Sequence, residues 1–344
     1  MVNPPAHPPG PPLASEPGES PSRRLPEPTR EESSRFAADS DLIGADLSGQ
    51  DFSGADLSGC DLSRANLCGA NFAGANLKGA VLFDVDAEGA EFAGASLAGA
   101  RLDRGRFAQA GFGAADLAGV QADGAYFGHA SFLRATAAGA SFVGATLRGA
   151  RMNGADLTSA DLRRSDLTRA ELVDVDVTDA RFDDADVTRA RMSRVTGFRA
   201  AGWLGVDAMA IDCRGASFLQ DIIKDQNFIA EFRSQGPMYE WTYRVWWLTS
   251  DCGRSAMRWG LCSAFLASLF AVLYGYVKID FGDHETALSP FYFSVVTLTT
   301  LGYGDAVPAT AAAQIVVMIE VVFGYVMLGG LLSLVSTKLS RRAV

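Results

Sequence analysis

The chain has 344 residues, enough for more than one domain, and its mean hydropathy of +0.10 hides two long uncharged stretches, both after position 258. The formal net charge of −10 excludes a general nucleic-acid binder, which needs a basic face to displace counterions. Only three histidines (His7, His129, His284) and no nucleophile beside a base argue against an enzyme; five cysteines (Cys60, Cys68, Cys213, Cys252, Cys262) without a CxxC pair give no metal, redox or cofactor site.

Residues 1–36 hold 10 of the 13 prolines and carry no secretory-type signal. Such a composition cannot bury enough apolar surface to fold, so a disordered tail is expected there.

From Leu42 to Met192 an apolar residue recurs at every fifth position through 31 units, and Ala stands two residues before the centre in 23 of them. Gln50 is the one large polar exception. Period five fits neither a helix nor a plain strand. Two positions apart in extended backbone, however, the centre and its preceding Ala point the same way, and the three polar or glycine positions that remain carry the chain round a corner. Segments such as Ala45-Asp46-Leu47-Ser48-Gly49 and Ala155-Asp156-Leu157-Thr158-Ser159 resemble the pentapeptide-repeat family. That resemblance implies an all-β, right-handed quadrilateral β-helix over residues 37–217 with about twenty residues per coil, hence a rod of roughly 37 Å.

If four units make a coil, outward residues stack every twenty positions. One such column is Asp56, Asn76, Ser96, Asp116, Thr136, Asp156, Asp176; another is Asp51, Asn71, Glu91, Gly111, Ser131, Arg151, Glu171, Arg191. Residues 37–217 hold 25 acidic against 17 basic residues, too balanced for a mimic of duplex DNA, which leaves a scaffold or docking module for a cytoplasmic partner. The phase breaks at Gly197, after which a bulky cap containing Trp203 is expected. Ala216-Ser217-Phe218 reads as one more repeat-like unit in a shifted register.

Residues 218–253 read as a linker. Ile222, Ile223, Ile229 and Phe232 recur at near-helical spacing, which predicts a helix packed on a neighbour. Met238–Leu248 contains Trp241, Tyr243, Trp246 and Trp247; these suit either a headgroup boundary or packing against the repeat cap.

Residues 254–344 hold two candidate spans, Trp259–Val277 and Ala311–Thr337, about 28 and 40 Å long as helices. Arg254 and Arg258 precede the first; Lys338, Arg341 and Arg342 follow the second; Asp280, Asp283 and Glu285 lie between. Positive-inside bias puts both termini in the cytoplasm. Ser289 and Pro290 then look like the N-cap and first turn of a helix of about ten residues, too short to span and suited to a half-helix.

Thr300-Leu301-Gly302-Tyr303-Gly304, placed after that half-helix and between two spans, resembles the potassium-channel signature. The resemblance implies a multi-pass pore domain of the plasma membrane with two spans, a re-entrant pore helix and a filter. K+ would be held by the Thr300 hydroxyl and by backbone carbonyls from Thr300 to Tyr303, and by no other metal site. It further implies Tyr292 and Phe293 as a cuff around Tyr303, Asp305 beside the filter, Gly324 as a hinge (simple close packing, with Gly329 and Gly330, is the other reading) and Leu331–Val335 as the inner gate. One filter strand per chain implies a homotetramer, three further copies of the same chain in a lipid bilayer. Leu301 stands where Val is commoner, and Val296 where some relatives carry a carboxylate. Glu320, the one ionisable residue within a span, reads either as a hydrogen-bonded prop behind the filter or as a cavity-facing charge. These residues carry no arginine-periodic helix, nucleotide-binding βαβ unit or calcium loop.

Overall fold

The computed structural model describes residues 42–212, 217–251, 255–277, 279–282, 286–302, 304 and 306–340. The expected tail, Cys213 and Cys252 lie outside them, as do Tyr303 of the expected filter and Asp305 expected beside it. Two compact units divide the chain between Phe228 and Ile229.

The first unit is a stack of five-residue turns. All 31 apolar centres from Leu42 to Met192 are buried, with the alanines that precede them filling the space between centres. Parallel bridges join each outward residue to the one twenty positions later, from Asp46↔Asn66 to Asp176↔Thr196, so one layer holds four units. Two pairings lengthen into strands, β1 (Glu171–Val173) against β2 (Arg191–Ser193). Both outward columns expected from the sequence form, each member bridged to the next.

One unit shows why period five is stable. In residues 65–69 every backbone N–H has an acceptor. Ala65 closes the turn onto Leu62 O, Asn66 donates down to Ala45 O, and Leu67 and Gly69 donate up to Asp86 O and Glu88 O. The last, Cys68 N, donates to the Asn66 side chain at 3.1 Å. Asp, Asn or Ser is favoured just before the centre because a short polar side chain there can accept from the N–H two residues on. In the first layers Asn66, Asn71 and Asn76 also donate to Asp46, Asp51 and Asp56 of the layer below at 2.8–3.0 Å. The Ser58 hydroxyl and N–H hold the Asp56 carboxyl below the usual range, as the Thr178 hydroxyl and N–H do for Asp176.

Inside, identical residues one layer apart stack. Phe52, Phe72, Phe92, Phe112 and Phe132 form one column with ring centroids 4.9–5.1 Å apart and planes within 10°. That spacing is the separation of hydrogen-bonded strands, so the backbone ladder sets the ring stack.

The phase break at Gly197 does not end the pairing. One residue is inserted after Gly197, and pairing resumes at a spacing of 21, Arg181↔Gly202 and Arg191↔Asp212. Trp203 is fully buried and stacks on Phe182 at 4.3 Å. Of the repeat-like unit expected at Ala216–Phe218, Ala216 lies outside the described residues, Ser217 opens helix α1 (Ser217–Ser234) and Phe218 is exposed. Leu219 and Ile223 of α1 are buried against the core of the stack, so the helix expected in this stretch is present and packed. Gln226 accepts from Trp203 N and donates to Ala201 O, while Asn227 accepts from Gly205 N and donates to Val206 O, all at 2.8–2.9 Å. Two side-chain amides thus take the place of a further layer on an edge that would otherwise be open.

The second unit is helical. Gly236, at φ 144°, precedes helix α2 (Pro237–Ser250), which leads to α3 (Ala256–Tyr274), α4 (Ser289–Leu298) and α5 (Ala311–Ser340). The first apolar helix begins and ends three residues earlier than the apolar run. Ser255 caps it by accepting from Arg258 N, and it stops at Gly275. A short antiparallel pair, β3 (Ile279–Asp280) with β4 (Val307–Pro308), ties the segment after α3 to the segment before α5.

Candidate functional site

Helices α3 and α5 contain stretches long and apolar enough to cross a membrane, Ala256–Tyr274 and Ala311–Leu332. Between them α4 has ten residues, which is only about 15 Å of helix. Its start differs from the sequence expectation: Leu288 is the N-cap, without a side-chain cap, and Ser289 and Pro290 are the first two helical residues. The Ser289 hydroxyl instead accepts from Thr286 N at 2.8 Å, bracing the loop that precedes the helix.

The end of α4 is built with care. Thr300 N donates to Thr297 O and Leu301 N to Val296 O, both at 3.0 Å, the paired bonds of a Schellman cap. That cap places Thr300 at φ 59°, a region glycine takes freely and a β-branched residue resists at a cost of about 1–2 kcal/mol. A strained residue held in place by its surroundings points to a function for its side chain or carbonyl. Gly302 and Gly304 follow at φ 53° and 77°. A Cβ on either glycine would meet nothing within 4 Å, so backbone angle and not space calls for glycine there. Thr300, Leu301, Gly302 and Gly304 are all exposed.

Behind this segment the packing is closed. Glu320 of α5 is fully buried; Tyr274 Oη of α3 donates to one of its carboxylate oxygens and Ser294 Oγ of α4 to the other. One carboxylate therefore ties together all three helices. Both carboxylate oxygens are thus engaged within the helical unit. Tyr274 and Ser294 were missed in the sequence, although each is a polar group within an apolar helix, where a buried side chain needs a partner.

Phe293 is buried against Tyr274 (centroids 5.1 Å apart) and Phe281, whereas its neighbour Tyr292 is exposed. Tyr303, around which these two aromatics are expected to form a cuff, lies outside the described residues. A cavity of about 320 Å³ lies beside Phe293, bordered by Thr300, Gly302, Gly304 and, from α5, Val321 and Tyr325. Val296 is buried. Gly324 lies against the backbone of Leu298, and Gly330 against the Trp259 ring, while Leu331 and Val335 are exposed.

Residues 261–341 match a family model described as ion channel, and residues 38–67, 60–99, 75–112, 115–154 and 155–194 match one described as pentapeptide repeats. The chain joins an ion-channel domain to pentapeptide repeats. The channel segment is similar to two-pore potassium channel 4 of Arabidopsis thaliana, 42% identical over 62 residues, which is 17% of this chain and 22% of that protein. It is also similar to two-pore potassium channel 1 of the same plant, 31% identical over 86 residues and 24% of each chain. The chain thus spans less than a quarter of the curated relatives it matches.

The pentapeptide repeats are similar to the crystal structure of HetL, a pentapeptide repeat protein involved in heterocyst differentiation regulation from the cyanobacterium Nostoc (24% identity, 50% of this chain and 85% of that one, TM-score 0.25). They are similar also to QnrB1, a plasmid-mediated fluoroquinolone resistance protein (20% identity, 54% and 89%, TM-score 0.32). The ion-channel match contains α4, the Thr300–Gly304 segment and Glu320, but neither α1 nor α2.

Proposed function

We propose that four copies of this chain assemble a potassium-selective pore through which K+ passes down its gradient. The observation that carries this reading is the left-handed backbone at Thr300, Gly302 and Gly304, just beyond a ten-residue helix set between two span-length helices. In an extended strand successive carbonyls point to opposite sides. Alternating left- and right-handed residues turn them to one side, the arrangement a dehydrated cation needs. The helix end of α4 adds its negative dipole near Thr300.

One chain supplies one such strand, and a cage of carbonyls closes only when several strands surround an axis. Four is the number the resemblance to potassium channels supports, with the name of both curated relatives favouring K+. In this reading α4 is re-entrant, the Tyr303 carbonyl completes the filter, and Asp305 lies at its outer end. Glu320 braces the filter from behind. The repeats form a right-handed, four-sided β-helix in the cytoplasm, and the spans lie in the plasma membrane with both termini inside.

Purified chain in liposomes tests the proposal. Potassium uptake that exceeds sodium uptake by at least about a hundredfold is expected. Equal uptake of the two ions defeats selectivity, and no uptake defeats the pore, leaving a repeat protein anchored by two helices. Deleting residues 42–212 then separates two roles for the repeats: a truncated chain that conducts with altered open probability supports regulation, and one that no longer forms tetramers supports assembly.

A further inference from the structure

We propose that α2 is an interfacial membrane helix: it lies at the lipid headgroup boundary, with one apolar stripe seated against acyl chains. The proposal rests on the reading that α3 and α5 cross a membrane. The stripe is Met238, Trp241, Val245 and Leu248, spaced i, i+3, i+7 and i+10, so all four fall on one side of the helix. They are 79, 67, 40 and 69% exposed. Such a continuous uncovered stripe calls for an occupant.

Three observations favour lipid over a protein surface. The first is position. Ser255, the cap of the first span, donates its N–H to Ser250 O at 2.9 Å, and Arg258 reaches both Asp251 (3.8 Å) and the Trp247 ring (5.6 Å). These ties hold the end of α2 beside the first turn of a membrane-length helix. The second is the polar inventory at the stripe's edge. Thr242 and Thr249 turn their hydroxyls back onto Met238 O and Val245 O at 2.9 Å, which leaves the Trp241 indole N–H as the polar tip of the stripe, the amphipathic form suited to a headgroup boundary. The third is composition. Trp beside aliphatic residues, flanked by the exposed Arg244 whose guanidinium is 3.2 Å from Glu240, has the make-up of helices that lie in the interface, where an arginine stem follows the apolar surface while its head stays in the polar layer. The Arg233 guanidinium, 2.7 Å from Glu240 and over the Tyr243 ring, adds a second cation on the polar side.

The test uses full-length protein in lipid vesicles, with the photoreactive residue p-benzoyl-phenylalanine placed singly at Trp241 or Leu248 of the stripe. The same residue at Phe265 or Val272, exposed positions of α3, serves as the reference for lipid contact. After illumination, adducts are identified by mass spectrometry. The expected result is lipid adducts at 241 and 248 within about threefold of those at 265 and 272. Protein cross-links at 241 and 248 in place of lipid, with lipid still found at 265 and 272, overturn the proposal and leave the membrane reading standing. Absence of lipid adducts at all four positions overturns the membrane reading and this proposal with it.

Discussion

Gly324 sits against the backbone carbonyl of Leu298, so close that a Cβ built on the glycine would stand 2.5 Å from that oxygen. The residue expected to act as a hinge is therefore a close-packing glycine in this conformation, joining α5 to the last turn of α4. Gly324→Ala is expected to destabilise the helical unit by about 1–3 kcal/mol, through overpacking against backbone that has little room to shift. Gly329→Ala, where a Cβ meets nothing within 4 Å, is the matched control and is expected to be near neutral. Thermal unfolding in detergent measures both, and equal effects would disprove the packing role.

Tyr274 donates to the buried Glu320 carboxylate, so the contributions of these two residues are expected to couple. In a double-mutant cycle of Tyr274→Phe and Glu320→Gln, an interaction energy of about 1 kcal/mol or more is expected for either folding stability or the rate of current decay. Additive effects would show that the hydroxyl and the carboxylate do not depend on each other.

Gly302→Ala is expected to abolish potassium preference, because a methyl group resists φ 53° even though open space surrounds it. Retained preference in liposome flux would remove the proposed filter. Leu301→Val, which changes a side chain and no backbone requirement, is expected to conduct as the parent does.

Trp203 closes the stack on Phe182. Trp203→Ala is expected to cost about 3–5 kcal/mol and to release the last layer first. Hydrogen exchange reads this directly, as faster exchange across 181–212 while the Phe72–Phe112 layers keep their protection. Asn227→Leu is expected to act on the same segment with a smaller effect, by unpairing Gly205 N and Val206 O.

Acid should weaken the repeats in a defined direction. Asp56 and Asp176 are held below the usual carboxylate range by hydroxyl and N–H donors, so their contribution is full above the unfolded value of about 3.9 and is lost as pH falls through the lower folded values. A fall in melting temperature between pH 5 and pH 2.5 is expected, and Asp176→Asn is expected to reduce it. Asn is compatible with the site, because Asn71 makes the equivalent bond to Ala73 N at 3.1 Å.

What the sequence disclosed depended on how local the cause was. The repeat was legible because one apolar centre every five residues is a local requirement, met 31 times by burial of that centre. The resumption of pairing beyond Gly197 was not, since a single inserted residue moved the spacing from 20 to 21, and Trp203 can be placed only relative to Phe182. Phe218 misled for a related reason: Ala-Ser-Phe satisfies the pattern, but the residues after it favour a helix whose Leu219 and Ile223 cover the core. In the helical unit, Glu320 was marked by its charge within an apolar run. Its partners come from helices 46 and 26 residues away in the chain, which no spacing rule connects.

The step of twenty residues between bridged partners has a consequence for how such a stack can change length. Each layer rests only on its neighbours, so a duplicated block of twenty residues adds a storey and returns every later side chain to its own column. A duplication of five, though it preserves the apolar period perfectly, shifts all later outward residues into the adjoining column. Asn76 would then no longer meet Asp56, and the Phe column would break at the insertion. Growth by whole storeys is thus the silent mode of change for this array, and growth by a single repeat rewrites its surface.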